Sequence, residues 1–139
     1  MAIESEKLEA VQGLAAELVE ILAVYLHGSH GTEYETPASD LDLAFVPMPG
    51  VELDLMAELM MDAAFSRVVG SDRLDVTNLL SSSIVFQFQV LKKGTPLYVR
   101  DSELLADYVE RVIKLYCDFE PDFRRMCEDF DAGLKVRIP

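Results

Sequence analysis

The sequence has only two cysteines, few basic residues and no long hydrophobic run, and each shortage excludes a class of protein. Cys117 and Cys127 match no zinc-binding spacing and are too few to form a disulfide scaffold. No apolar run approaches the roughly 20 residues that a membrane span requires. The first residues lack the basic start and apolar stretch of a signal peptide, so we expect a cytoplasmic protein with reduced thiols, not associated with a membrane.

Basic residues are outnumbered two to one. Lys and Arg total 12 against 25 Asp and Glu, which gives a formal net charge of −13. Phosphate backbones are bound mainly by Lys and Arg that release counterions, so we do not expect direct binding of nucleic acid. The acidity either keeps the protein soluble or steers a cationic partner toward it, and composition does not separate these interpretations.

The 139 residues suffice for one domain with a substantial core, and we treat 1–139 as a single domain. Residues 84–93 fit a strand or a helix, and local propensity favours the strand. The order of elements predicts an α/β or α+β sandwich around one mixed sheet. The other predicted elements are helices over 4–21 and 52–69, strands over 22–27, 40–46, 73–79 and 96–100, and a helical C-terminal segment of about 101–135 interrupted at Pro121.

The helix predicted over 52–69 has apolar residues at helical spacing, which we expect to face the core. The methionines within it are expected to fill that core. The predicted apolar face comprises Leu53, Met56, Leu59, Met60, Ala63 and Val68, with Met61 beside it.

The residues that indicate chemistry are Gly28-Ser29, followed after ten residues by Asp40-Leu41-Asp42. A Gly-Ser turn can hold phosphate oxygens through backbone N–H groups and a hydroxyl. Aspartates at i and i+2 of a strand point to the same side and have Cα atoms roughly 6.6 Å apart, close enough to share a cation. An isolated Asp-x-Asp is more often a solvated surface, but here it follows a Gly-Ser turn and lies on an otherwise apolar strand.

Asp75, in the strand predicted over 73–79, is the third candidate. We expect the two aspartate-bearing strands to lie side by side near the middle of the sheet. Mg²⁺ suits such a site because it takes a few carboxylate oxygens and completes its shell with water and phosphate. Asp75 either completes a second metal position about 3.5–4 Å from the first or accepts a proton from an attacking hydroxyl. The pattern predicts a nucleotidyl transfer site that binds a nucleoside triphosphate through Mg²⁺.

Three other residues have competing interpretations. His27 is predicted to be an ordinary strand-end residue. Lys92 and Lys93 either reach a phosphate or complement the dipole at the end of a helix.

With these residues the chain resembles the minimal nucleotidyltransferases of the polymerase-β-like superfamily. Gly94-Thr95-Pro96-Leu97-Tyr98 and the helical C-terminus resemble in particular the MNT (MntA-like) antitoxins that are paired with HEPN toxins. The resemblance implies a nucleotidyltransferase-like α+β fold with about four strands flanked by helices, and a helix over 84–93. Many relatives carry an arginine soon after Gly-Ser, whereas this chain has His30-Gly31-Thr32, which removes one expected phosphate contact.

The resemblance also implies a function, which is transfer of AMP from Mg-ATP to a tyrosine of a cognate HEPN ribonuclease toxin within a hetero-oligomeric complex. It implies that Gly28 and Ser29 bind phosphates, that Asp40 and Asp42 bind the metals, and that Asp75 acts as metal ligand or base. Two alternatives remain. The chain is either a non-catalytic antitoxin that masks a basic toxin surface, or an aminoglycoside-type nucleotidyltransferase, for which it is short.

Overall fold

The computed structural model describes residues 5–28, 41–70 and 73–134, and within the last range it leaves out the side chains of 122–124 and 126–134. Four strands and four α-helices follow one another along these residues. In chain order they are α1 (Ser5–Glu17), β1 (Ile21–His27), β2 (Leu41–Pro47), α2 (Leu55–Val69), β3 (Leu74–Asn78), a short 3₁₀ helix (Leu79–Ser81), α3 (Ile84–Lys93), β4 (Thr95–Val99) and α4 (Ser102–Leu134).

The four strands form one mixed sheet in the order β3-β2-β1-β4. β1 is antiparallel to both β2 and β4, whereas β2 and β3 are parallel. The two aspartate-bearing strands are therefore adjacent, as predicted. The prediction that both lie near the middle was wrong for β3, which is an edge strand.

Helices cover both faces of the sheet. On one face Leu43 and Phe45 of β2 pack with residues of α1 and α2, including Val11 and Phe65. On the other face Ala44 and Val46 of β2 pack with the 3₁₀ helix, α3 and α4. Alternate residues of β2 thus face opposite layers, which is the pattern of a strand buried on both sides.

A single arginine holds the end of α1 against the sheet. The Arg100 guanidinium, just after β4, donates to the carbonyl of Ile21 at 2.8 Å and to those of Ala15, Ala16 and Leu18 at 2.9–3.1 Å. The last carbonyls of a helix lack partners within the helix, so these bonds cap α1 and fix the start of β1. The position of β1 matters because its other end forms part of the candidate site.

The prediction for the buried face of α2 was wrong except at Met61, which packs in the core as expected. The buried residues of this helix are Met61, Phe65 and Val69. The predicted core residues Met56, Leu59 and Met60 are 63%, 53% and 66% exposed, and Leu55 is 74% exposed. Both sides of α2 are apolar, so its periodicity does not reveal which side meets the sheet.

Two further expectations concern the C-terminal half. Residues 84–93 form α3, which confirms the helix implied by the resemblance and contradicts the strand favoured by local propensity. The Ser83 hydroxyl caps this helix by accepting from the Phe86 N–H at 3.1 Å. The expected interruption at Pro121 is also wrong, because α4 continues through that residue as one helix.

Candidate active site

Three side chains that face α3 and α4 form a row across the sheet. The register pairs His27 of β1 with Asp42 of β2, and Asp42 with Asp75 of β3. Tyr25 and Ala44 belong to the core on the α3–α4 face, so the alternation of each strand places His27 and Asp42 on that face as well. Leu74 and Val76 pack on the opposite face, which leaves Asp75 on the same side as Asp42.

The structure thus brings Asp42 and Asp75 together. Neighbouring strands lie about 4.8 Å apart, so the two carboxylates are within reach of one ion. Asp42 is half-buried, whereas Asp75 is exposed at the edge of the sheet. The pair therefore combines a protected carboxylate with one that an approaching molecule can contact.

Gly28 ends β1 directly against this pair. Its φ of +87° lies in the left-handed region, which favours glycine. A Cβ atom at this position would overlap Asp42 Oδ2 and lie 3.2 Å from Asp42 Cγ. A glycine is needed here for two reasons, the backbone conformation and the close approach of the Asp42 carboxylate.

The other two predicted site residues, Ser29 and Asp40, lie outside the described residues. The described neighbours constrain where the chain enters and leaves this segment. Gly28 precedes Ser29, and Leu41 follows Asp40 at the start of β2. The roles assigned to Ser29 and Asp40 stay predictions.

His27 has the most unusual environment in the row. Burial lowers the pKa of its imidazole, and this effect is opposed by the charge of Asp42, a hydrogen bond with the Leu43 backbone and the charge of Asp75. The ring meets the Phe86 ring edge-on, with centroids 5.5 Å apart and an interplanar angle of 84°. His27 therefore connects the carboxylate row to α3.

A cavity of about 620 Å³ opens beside His27, between the end of β1 and α3. Its volume is within the range of small-molecule sites, and its wall is mainly apolar with a few polar side chains. The residues that line it are Leu26, His27, Gly28, Ser83, Val85, Phe86, Gln89, Val90, Lys93, Gly94 and Thr95.

Most of the residues that line this cavity are not predicted from the sequence. Phe86 and Gln89 were not singled out, because their positions matter only once residues 84–93 form a helix over the sheet. His27 was assigned to an ordinary strand end. Its spacing of two residues from Tyr25 was the available signal, since it places both side chains on one face of β1.

The carboxylate pair fits a divalent cation. Two carboxylates on neighbouring strands repel each other unless a cation lies between them, and carboxylate oxygens are preferred ligands of Mg²⁺. Within residues 5–28, 41–70 and 73–134, no group of three or more His, Cys, Asp or Glu side chains is placed to hold a metal. Asp40, the third predicted ligand, is outside these ranges. In the same part of the chain, no helix is both long and apolar enough to cross a membrane.

The mixed sheet with its flanking helices is a nucleotidyltransferase-like fold. Residues 9–103 match the family described as polymerase beta, nucleotidyltransferase, and the chain belongs to this family. No protein of the curated set matches the chain significantly.

Several solved toxin–antitoxin structures share this fold. A toxin–antitoxin crystal structure with AMP-PNP is 21% identical with a TM-score of 0.72, covering 88% of this chain and 97% of that chain. The MntA–HepT crystal structure is 20% identical with a TM-score of 0.69, and the shares covered are 91% and 98%. The structure of a tri-AMPylated Shewanella oneidensis HEPN toxin in complex with MNT antitoxin is 20% identical with a TM-score of 0.68, covering 89% of this chain and 95% of that chain. These likenesses and the family match confirm the predicted nucleotidyltransferase-like fold with its mixed four-stranded sheet and C-terminal helix.

Proposed function

We propose that this chain is a cytoplasmic antitoxin that transfers AMP from Mg-ATP to a tyrosine of a cognate HEPN ribonuclease toxin and thereby inactivates it. The observation that carries the proposal is the register of Asp42 and Asp75 on parallel strands, with Gly28 packed against the Asp42 carboxylate. The structural likeness to a toxin–antitoxin structure with AMP-PNP and to a complex with a tri-AMPylated toxin supports adenylyl transfer as the specific reaction.

In this proposal each residue of the site has a separate task. Asp40 and Asp42 hold Mg²⁺, and Asp75 either joins them as a ligand or accepts the proton of the attacking hydroxyl. Gly28 and Ser29 hold phosphate oxygens, and the absence of a side chain at Gly28 lets the triphosphate approach Asp42. When bound, one or two Mg²⁺ ions neutralise charge on the triphosphate.

The chemical step is an in-line displacement. The tyrosine oxygen forms a bond to the α-phosphorus while the bond from that phosphorus to the bridging oxygen breaks. Pyrophosphate leaves, and the phenolic proton passes to Asp75 or to water. The toxin tyrosine then carries AMP as a phosphodiester.

The net charge of −13 agrees with such a partner. A protein that cleaves RNA needs a basic surface for its substrate, so the two proteins attract each other over long distances. We therefore propose a hetero-oligomeric complex in which the chain binds protein and ATP, and no nucleic acid directly.

The test is adenylylation of the toxin measured by intact-protein mass spectrometry. The purified chain, its cognate toxin, ATP and Mg²⁺ should add multiples of the AMP mass to the toxin, and EDTA should prevent this. Asp42→Asn and Asp75→Asn should each lower the rate at least 100-fold, because both remove a carboxylate from the metal site. Asp107→Asn removes the same charge from an exposed position of α4 and should leave the rate unchanged.

Two results would contradict the proposal in favour of the alternatives. An unmodified toxin that Asp42→Asn still neutralises would show an antitoxin that acts by binding alone. Adenylylation of an aminoglycoside but not of the toxin would show a small-molecule nucleotidyltransferase.

A further inference from the structure

His27 contains a polar atom that the protein does not satisfy. Its Nε2 is buried and has no hydrogen-bond partner, and it is the one side-chain nitrogen or oxygen in the described part of the chain of which this is true. An unsatisfied buried polar atom destabilises the folded state. Phenylalanine would fill a similar volume and keep the contact with Phe86 without this cost, so packing alone does not explain a histidine here.

The ring is held so that Nε2 can accept a hydrogen bond. The Leu43 backbone bond favours the protonated ring, which identifies the Leu43 group as a carbonyl that accepts from a ring N–H. Since Nε2 has no partner, this N–H belongs to Nδ1. In a neutral imidazole with its proton on Nδ1, Nε2 carries a lone pair and is an acceptor.

His27 is also part of the wall of the cavity beside α3. Phe86, which packs edge-on against the ring, belongs to the same wall. A molecule bound in this cavity is therefore next to the imidazole.

We propose that His27 is a nucleotide-binding residue whose Nε2 accepts a hydrogen bond from a hydroxyl or amino group of the nucleoside when a nucleotide fills the cavity. This inference rests on the proposed nucleotidyl transfer function and adds a contact to those made by the two carboxylates. The phosphates are not the partner, because their oxygens are acceptors and a lone pair on Nε2 does not bind them. The ribose hydroxyls and the exocyclic amine of adenine are the donors that a nucleoside offers.

The first experiment compares wild type with His27→Phe at pH 8 by titration with Mg²⁺ and a non-hydrolysable ATP analogue. We expect His27→Phe to bind the analogue about 3- to 10-fold more weakly, which is the effect of losing one hydrogen bond of about 0.5–1.5 kcal/mol. Tyr25→Phe changes an aromatic residue two positions earlier on the same face and should leave the affinity unchanged.

The donor is identified by repeating the titration with analogues that lack one group each, namely the 2′-hydroxyl, the 3′-hydroxyl or the 6-amino group. The correct analogue should bind wild type and His27→Phe equally, whereas the others should still distinguish the two proteins. Equal affinities of wild type and His27→Phe for the complete analogue would overturn the proposal.

A second measurement needs no variant. The chain has two histidines, so the ring nitrogens of His27 can be assigned in a ¹H–¹⁵N spectrum by comparison with His30→Ala. The proposal predicts a shift of the His27 Nε2 resonance on addition of the analogue, and an unchanged resonance at saturation would overturn it. Failure of wild type to bind the analogue at all would instead contradict the proposed function.

Discussion

At the residue scale, the site depends on one position where a side chain must be absent. Gly28 and Gly50 both have positive φ values, +87° and +81°. They differ in their surroundings, because a Cβ at Gly28 would overlap the Asp42 carboxylate whereas a Cβ at Gly50 meets nothing within 4 Å. Substitutions at these two glycines therefore distinguish the energetic cost of the backbone conformation from the cost of crowding the Asp42 carboxylate.

Gly50→Ala should lower the free energy of unfolding by about 1–2 kcal/mol, the cost of placing an L-residue in the left-handed region. Gly28→Ala should cost more than this and should also weaken binding of Mg-nucleotide, because the new methyl group displaces the Asp42 carboxylate. Chemical denaturation measures the first effect and nucleotide titration the second. Equal losses in both variants, with nucleotide binding intact, would show that Asp42 adjusts to the methyl group without consequence.

Tyr108 is a residue-scale feature of the core behind the site. Its hydroxyl donates to Gln87 Oε1 at 2.6 Å, and the Gln87 amide donates to the Ser82 carbonyl at 2.9 Å. Burial raises the pKa of the Tyr108 hydroxyl. The folded protein therefore keeps this proton at a pH where the unfolded chain, with a tyrosine pKa of about 10, releases it.

The sign of the pH effect follows from proton linkage. Above about pH 10 the folded state binds more protons at Tyr108 than the unfolded state, so the free energy of unfolding decreases as the pH rises. Tyr108→Phe should lose about 1–2 kcal/mol at pH 8, because Gln87 Oε1 loses its donor, but should show a shallower decrease between pH 10 and 11.5. Parallel stability curves for the two proteins in this range would contradict the interpretation.

At the scale of the element, α2 shows why apolar periodicity alone does not orient a helix. One side carries the buried Met61, Phe65 and Val69, and the other carries exposed leucines and methionines. Hydrophobicity is similar on both sides, so orientation depends on which side chains fit between α1 and the sheet. The aromatic ring of Phe65 occupies that space and is fully buried.

Substitutions on the two sides of α2 should therefore differ strongly. Phe65→Ala should lower the free energy of unfolding by about 3–5 kcal/mol, because it removes a buried ring and leaves a cavity. Met60→Gln should change it by less than about 0.5 kcal/mol, because Met60 is exposed and the two residues have similar helix propensity. Denaturant titration of both variants tests the orientation, and a large loss for Met60→Gln would contradict it.

At the scale of the whole molecule, the sheet separates two surfaces. The face covered by α3 and α4 carries the carboxylate row and the cavity, whereas α2 exposes its apolar side on the opposite face. The net charge of −13 is a property of the whole molecule, because the field of exposed charges attracts or repels a partner before contact.

The net charge leads to a prediction about association with the proposed toxin partner. The association rate constant should fall at least 10-fold between 0.02 and 0.5 M NaCl, because the Debye length shrinks from about 20 Å to about 4 Å and screens the attraction. Stopped-flow mixing of the labelled proteins measures this rate. A rate that does not depend on salt would show that the acidity serves solubility alone.

Local pattern was sufficient for the parts of this protein that depend on neighbouring residues. Short apolar runs, alternation and turn residues predicted the four strands. The type and spacing of the acidic residues pointed to Asp42 and Asp75 as candidates, because side-chain direction along a strand has a period of two. Local pattern failed for residues 84–93, whose alternating apolar residues favour a strand but which form a helix packed against α4.

What only the tertiary structure decided is the register in which the strands pair. The alignment of His27, Asp42 and Asp75 joins residues that are far apart in the chain, and nothing local to any of them specifies it. The same holds for the orientation of α2 and for the cavity under α3. These features arise when elements pack together, because packing selects among several arrangements that are equally favourable for each segment alone.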